Sequence, residues 1–189
     1  MNQSTGRPTM LRTGVRRAVE ADLPELVRLR ALLFETLGGE YFNPAPDQPN
    51  RPDRNDWRHN LAAVLKEQLT ADATRILVVD AEPDRDHGHG HGHGHGIAAC
   101  GIGTVEQWFP GPHNLTGRVG HVIGVVTDPA YRRRGHSRAI MRALLDWFRA
   151  QDASRVDLYA STQGEPLYRD LGFVDHPDPA LYWRPAAGT

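Results

Sequence analysis

The stretch VVTDPAYRRRGHSRAIM, residues 125–141, sets three consecutive arginines, a glycine, a histidine and a serine where an apolar run gives way to a helical pattern. A helix start offers amides without intrahelical acceptors and the positive end of the helix dipole, so it attracts anions. Gly135 lets the main chain come close to a ligand, and guanidinium groups suit phosphate oxygens. The chemistry this predicts is binding of a phosphate or pyrophosphate. The competing reading is a solvated basic turn before an ordinary helix.

A second conspicuous stretch runs from His87 to Gly96, where five histidines alternate with five glycines. Extended, it would line its imidazoles along one face, and neutral imidazole is a ligand for zinc, nickel or copper. A dedicated site also needs fixed ligand geometry and partners that hold each ring, while glycine at every second position makes ordering costly. Asp84 and Asp86 lie near, but no other spaced ligand set exists in the chain. A low-complexity loop is therefore the preferred reading. No metal ligand is assigned and no metal is expected to be required. The alternative function is metal binding by the tract on a catalytically inactive scaffold.

The elements that must position these residues can be read from periodicity. Residues 14–22 suggest a first strand. Asp22, Pro24 and Glu25 then have the spacing of a capped helix start, and Leu26, Leu29, Leu33 and Leu37 form one stripe that ends at Gly38-Gly39. Pro44, Pro46, Pro49 and Pro52 mark a loop, followed by a second helix with Trp57, Leu61, Val64 and Leu65 on one side. Residues 75–81 and 97–109 read as strands joined in a hairpin whose enlarged tip holds the His-Gly tract. Residues 120–127 form the fourth strand, and Ile140, Met141, Leu144, Leu145 and Phe148 mark the buried face of the helix that follows. A strand at 155–161, a short helix at 166–171 and two final strands, FVDH and ALYWR, complete the order. The expected class is α/β (α+β), a mixed layered fold without internal repeats.

Composition bounds the function. The chain has 189 residues, 39% of them hydrophobic and 24% charged, with a formal net charge of -1. That balance gives no global pull toward nucleic acid or anionic membrane, and the basic patch lacks interleaved aromatics. No segment approaches the ~18–20 apolar residues needed to span a bilayer. The single cysteine, Cys100, excludes an internal disulfide and suggests a reducing, cytoplasmic setting. The expected layout is a loose tail at 1–13, one domain at 14–184 with the low-complexity loop at 84–96, and a short tail at 185–189.

Arg132, Gly135 and Ser137 fit the pattern Gln/Arg-x-x-Gly-x-Gly/Ala, the acetyl-CoA-binding signature of the GNAT superfamily of N-acetyltransferases, with Ser137 where the family carries Gly or Ala. Downstream, STQGEPLYRDLGF resembles the family segment Asn-x-x-Ala-x-x-Leu-Tyr-x-x-Leu-Gly-Phe. Leu167, Tyr168, Leu171, Gly172 and Phe173 match it, and Ser161 replaces the usual Asn. The opening RRAVEADLPELVRLRALL resembles the family's first strand and helix. The resemblance implies a mostly antiparallel sheet of about seven strands, splayed between the fourth and fifth and flanked by about four helices.

It also implies a mechanism. Val125, Val126 and Thr127 would pair through main-chain groups with the pantetheine arm of acetyl-CoA, and Gly124 would mark the bulge that opens the sheet. Arg132, Arg133, Arg134, Gly135, His136, Ser137 and Arg138 would hold the pyrophosphate, and Ser161 would also face the cosubstrate. A neutral amine would attack the thioester directly, with a backbone N–H near Val125 stabilising the oxyanion. Tyr168 would be the general acid; Glu106 and His121 are the two candidates for general base. The acceptor pocket would be built from residues 40–57 and 175–183, where Asp47, Asp53, Asp56, Asp175 and Asp178 stand among aromatics and suit a cationic amine. Partners implied are acetyl-CoA, an amine acceptor and a homodimer mate, with neither nucleic acid nor membrane.

Overall fold

The computed structural model of the chain describes residues 14–37, 56–82, 96–181 and 183. It divides into two compact units, residues 1–159 and residues 160–189. In the first, the order is β1 (Val15–Arg17), α1 (Leu23–Leu37), α2 (Asp56–Gln68), β2 (Thr74–Asp80), β3 (Ile97–Gln107), β4 (Arg118–Thr127), α3 (His136–Ala150) and β5 (Arg155–Leu158). The second contains α4 (Glu165–Asp170).

The five strands lie in the order β1-β2-β3-β4-β5, antiparallel except for the parallel β4–β5 pair. The β2–β3 pairing forms the expected hairpin, which closes where the Ala81 N–H donates to the Gly96 carbonyl at 2.7 Å. The His-Gly tract and the loop after α1 lie outside the described residues, as do both termini.

Helices α1 and α2 cover one face of the sheet. Leu26, Leu29 and Leu65 are buried there with Ile76, Val78, Cys100 and Val126. Val64, expected on the same side of α2 as Leu65, is 52% exposed, so that helix buries a narrower stripe. Helix α3 covers the other face through Ile140, Met141, Leu144, Trp147 and Phe148. Phe148 can lie flat on β4 because Gly120 has no side chain; a Cβ there would stand 2.6 Å from its ring.

Two further expectations change. Asp22 does not cap α1 reciprocally with Glu25. Its carboxylate accepts two bonds from Arg16, at 2.6 and 2.9 Å, and one from the Val19 amide at 2.8 Å. Arg16 also binds Asp80, which makes an ion triad, buried at Arg16 and Asp22, that joins β1 to β2. Of the two final strands, residues 172–181 form none. Pro177 and Pro179 remove two ladder donors there. The segment instead closes on itself, with the Asp178 amide donating to His176 Nδ1 at 3.1 Å.

Candidate active site

Strand β4 ends at Thr127, and Asp128 turns the chain by accepting the Ala130 N–H at 3.0 Å. Arg28 of α1 donates to Asp128 at 2.6 Å and is shared with Glu25, whose carboxylate also accepts the Ile97 amide. Burial opposes ionisation of both acids. The Arg28 contacts and the Ile97 amide outweigh it for Glu25, and the Ala130 amide and Arg28 outweigh it for Asp128, so both carboxyls sit below their ordinary pKa.

Beyond that anchor the backbone enters the left-handed region twice, at Arg133 (φ 64°) and Gly135 (φ 83°). Such turns gather successive amides into an anion-binding concavity. Helix α3 has no side-chain cap; its first return bond runs from the Ala139 amide to the Gly135 carbonyl at 3.0 Å. The amides of Gly135, His136 and Ser137 therefore have no intrahelical acceptor. Arg132, Arg133 and Arg134 are exposed around this turn, with Arg134 over the Tyr131 ring, while His136, Ser137 and Arg138 are half-buried. Ser137 is tied by its hydroxyl to that of Thr127 at 2.7 Å, which fixes the helix start against the strand end. That bond accounts for a serine where the family pattern has Gly or Ala.

The neighbouring sheet is open. Strand β5 pairs with β4 only from Val119 to Val122 and ends at Leu158, whereas β4 runs on to Thr127. Among the described residues no strand pairs with the far edge of β4 from Ile123 onward. The edge that carries Val125, Val126 and Thr127 is thus free for an extended ligand. On the β3 side the register slips between Ile102 and Gly103, which face Gly124 and Val122, so Ile123 is the bulged residue. Gly124 adjoins the bulge, and its missing side chain has a use: a Cβ would collide with the Arg30 guanidinium of α1. Arg30 donates to the Ile123 carbonyl at 3.2 Å.

The bulge has a second effect. Side chains alternate along a strand, and one extra residue reverses the alternation. His121, Gly124 and Val126 consequently face the same side as Thr104, Ile102 and Cys100, their register partners. On that face Leu26, Arg30, Leu33, Leu61 and Leu65 form an apolar cleft over Cys100, Ile102, Gly124 and Val126.

The two candidate bases meet further along the same face of the sheet. His121 Nε2 lies 3.5 Å from Glu106 Oε2 and is buried without a hydrogen-bond partner. Glu106 also accepts from the Trp108 indole at 3.1 Å. Asp157, beside His121 in the β4–β5 register, is bonded to Arg155, which lies over the Trp108 ring.

In the second unit, Ser161 accepts the Gly164 amide through its hydroxyl at 3.2 Å and opens the turn before α4. Gly172 (φ 93°) ends that helix, with the Phe173 amide returning to the Tyr168 carbonyl at 3.1 Å and the Gly172 amide to that of Arg169. This is a Schellman cap, and its apolar contact is the edge-on Tyr168–Phe173 pair, 5.9 Å between centroids. The LYxxLGF spacing therefore has a local structural basis. Burial pushes the Tyr168 phenol above its ordinary pKa.

Of the expected acceptor pocket, residues 40–55 and Tyr182 lie outside the described residues. Trp57 meets Phe34 edge-on at 5.3 Å, Asp175 pairs with Arg169, and Trp183 is exposed. Nothing in the sequence pattern distinguishes Arg30. It follows Leu29 in the α1 stripe, and an arginine beside a stripe reads as solvent-facing.

A five-stranded sheet whose β4 runs past its parallel neighbour into a helix start without a side-chain cap is the fold class that the sequence resemblance implies. The chain belongs to the acetyltransferase (GNAT) family, whose family model matches residues 32–173. The chain is 38% identical over 58 residues to a glucosamine 6-phosphate N-acetyltransferase of Trypanosoma brucei brucei, across 31% of this chain and 40% of that one. It is 34% identical over 79 residues to glucosamine 6-phosphate N-acetyltransferase 1 of Oryza sativa subsp. japonica, across 42% of this chain and 46% of that one. The chain thus spans less than half the length of these curated relatives. Among solved structures, a "predicted acetyltransferase" of Clostridium acetobutylicum, determined with acetyl-CoA, superposes with a TM-score of 0.68 at 21% identity, covering 89% of this chain and 94% of that one. A GCN5-related N-acetyltransferase of Ralstonia eutropha JMP134 gives 0.67 at 20% identity, covering 92% and 98%. At these identities the likeness is one of fold.

Proposed function

We propose that the chain transfers an acetyl group from acetyl-CoA to an amine acceptor by direct attack. The observation that carries this is the edge of β4 from Ile123 to Thr127, which no described strand pairs and which leads into a helix start whose first amides lack intrahelical acceptors. The edge suits the amides of an extended pantetheine arm; the turn at Arg132–Arg138 suits a diphosphate.

In this reading the acceptor nitrogen's lone pair adds to the thioester carbon, and an outward N–H near Val125 meets the resulting oxyanion. The C–N bond forms, the C–S bond breaks, and the sulfur leaves with a proton. Glu106 and His121, paired on the cleft face, receive the amine's proton directly or through water. Tyr168 supplies the proton to sulfur. Its phenol, raised by burial, keeps that proton at neutral pH. A thiol of reference pKa about 8.5 is the stronger acid, so donation must accompany C–S cleavage rather than precede it.

The relatives' names put glucosamine 6-phosphate first in the acceptor panel. The test is calorimetry with acetyl-CoA, followed by a thiol-release assay over that panel on the parent and Tyr168→Phe. The expected result is saturable acetyl-CoA binding by both proteins, with turnover at least about 10²-fold lower in the variant. Absence of acetyl-CoA binding to the parent removes the transferase reading; unchanged turnover removes only Tyr168 from it.

A further inference from the structure

Arg30 holds a position that its structural duty does not explain. It is half-buried in the cleft, and its Nη1 gives one hydrogen bond, to the Ile123 carbonyl. A guanidinium carries five N–H donors, and the described residues take up one of them. Among the described residues no carboxylate pairs with it; its surroundings are Leu26, Leu33, Ile102 and the Phe34 ring, 4.9 Å from the guanidinium carbon. Arg28, two residues earlier, is by contrast saturated by Glu25 and Asp128. Tying down one carbonyl needs only a neutral amide. A charge kept in a cleft where no described carboxylate meets it is costly, and burial lowers the Arg30 pKa accordingly.

The location is informative as well. Arg30 lies against Gly124 at the bulge where the sheet opens, on the face that also presents His121 and Glu106. That face therefore sets a cation at the bulge and carboxylates at Glu106 and Asp157 further along, an arrangement complementary to a molecule that is both amine and acid.

We propose that Arg30 binds an anionic group, carboxylate or phosphate, carried by the acceptor amine, and so selects acceptors that bear one. This rests on reading the chain as an amine acetyltransferase. A planar fork of donors recognises either oxyanion through two parallel bonds.

The test uses three probes with one aminoethyl skeleton: ethanolamine, β-alanine and O-phosphoethanolamine. Their binding to the full chain is measured by calorimetry, with and without saturating CoA, for the parent, Arg30→Gln and Arg30→Lys. On the parent, at least one anionic probe is expected to bind tenfold or more tightly than ethanolamine, and the stronger of the two identifies carboxylate or phosphate. Arg30→Gln should erase the preference and Arg30→Lys retain part of it. Equal affinities on the parent, no binding of any probe, or a preference that survives Arg30→Gln each overturn the proposal. If Arg30→Gln does not fold, as judged by circular dichroism, the parent series and Arg30→Lys decide the matter: a preference undiminished by lysine's loss of the fork counts against it. Because the probes are read by binding, the result is separate from whether acetyl-CoA is bound or turned over.

Discussion

Cys100 lies on β3 under the cleft, buried with Leu26, Ile76 and Val126, and burial outweighs the nearby Arg30 and Arg28 charges and pushes its thiol up to about 12. A thiol so placed stays protonated at neutral pH and is neither a nucleophile nor a metal ligand. An acetyl-cysteine intermediate is therefore at odds with this site, whereas direct attack is not. The folded protein should not react with a disulfide reagent such as dithiobis(nitrobenzoate) at pH 8, and the protein unfolded in urea should release one equivalent. Rapid single-equivalent labelling of the native protein would show the thiol to be reachable. At this scale the sequence was most informative where function constrains neighbours in the chain: Arg132, Gly135 and Ser137 stand at a helix start, and their spacing is the one that carries the family resemblance. Arg30 was hidden because its setting is made by Gly124 and Ile123 on a distant strand. Glu106 and His121 were both visible as candidates, but only the β3–β4 register shows that they meet.

Strand β4 is the element on which the site depends, and its irregularity matters more than its apolar content. Strict alternation along 118–127 would have put His121 with Ile123 and Val125, away from the cleft. The bulge at Ile123 turns it onto the face of Gly124 and Val126. A single sequence signals such a bulge only weakly, by a glycine inside a strand. Most strands and helices of the first unit were legible from their period and stop, although β1 ends at Arg17 where the sequence suggests a strand to 22, and β5 ends at Leu158 where it suggests one to 161. The final pair of strands was not, because Pro177 and Pro179 cancel the β pattern around them. At the first strand the capping spacing of Asp22 and Glu25 misled, since Arg16 is a stronger partner than a helix amide. The Arg16–Asp22–Asp80 triad is buried at two of its three members. Asp22→Ala leaves the guanidinium short of a partner and should lower stability by about 3–5 kcal/mol in urea denaturation. A loss under about 1 kcal/mol, the range of exposed pairs, would mean that the triad is solvated.

The first unit as a whole is held at the site by the Glu25–Arg28–Asp128 link, which joins α1 to the ends of β3 and β4. Both carboxyls have folded pKa values below their unfolded ones. Each thus contributes stability that is fully present above the ordinary carboxyl range, near pH 4, and is lost as pH falls through the lowered folded value. Urea midpoints measured at pH 7, 4 and 3 should fall over the acid steps, and the fall should be smaller in the double variant Glu25→Gln, Asp128→Asn. An identical acid profile in parent and variant would assign the acid sensitivity to other groups. A different consequence follows from the bond between Ala81 and Gly96. The β2–β3 ladder is already closed at that point, so the sheet does not depend on what the chain does between those two residues. Residues 83–95 are accordingly a graft point: a short turn, an epitope or a fluorophore-binding peptide can be spliced in there with the β2–β3 ladder left whole.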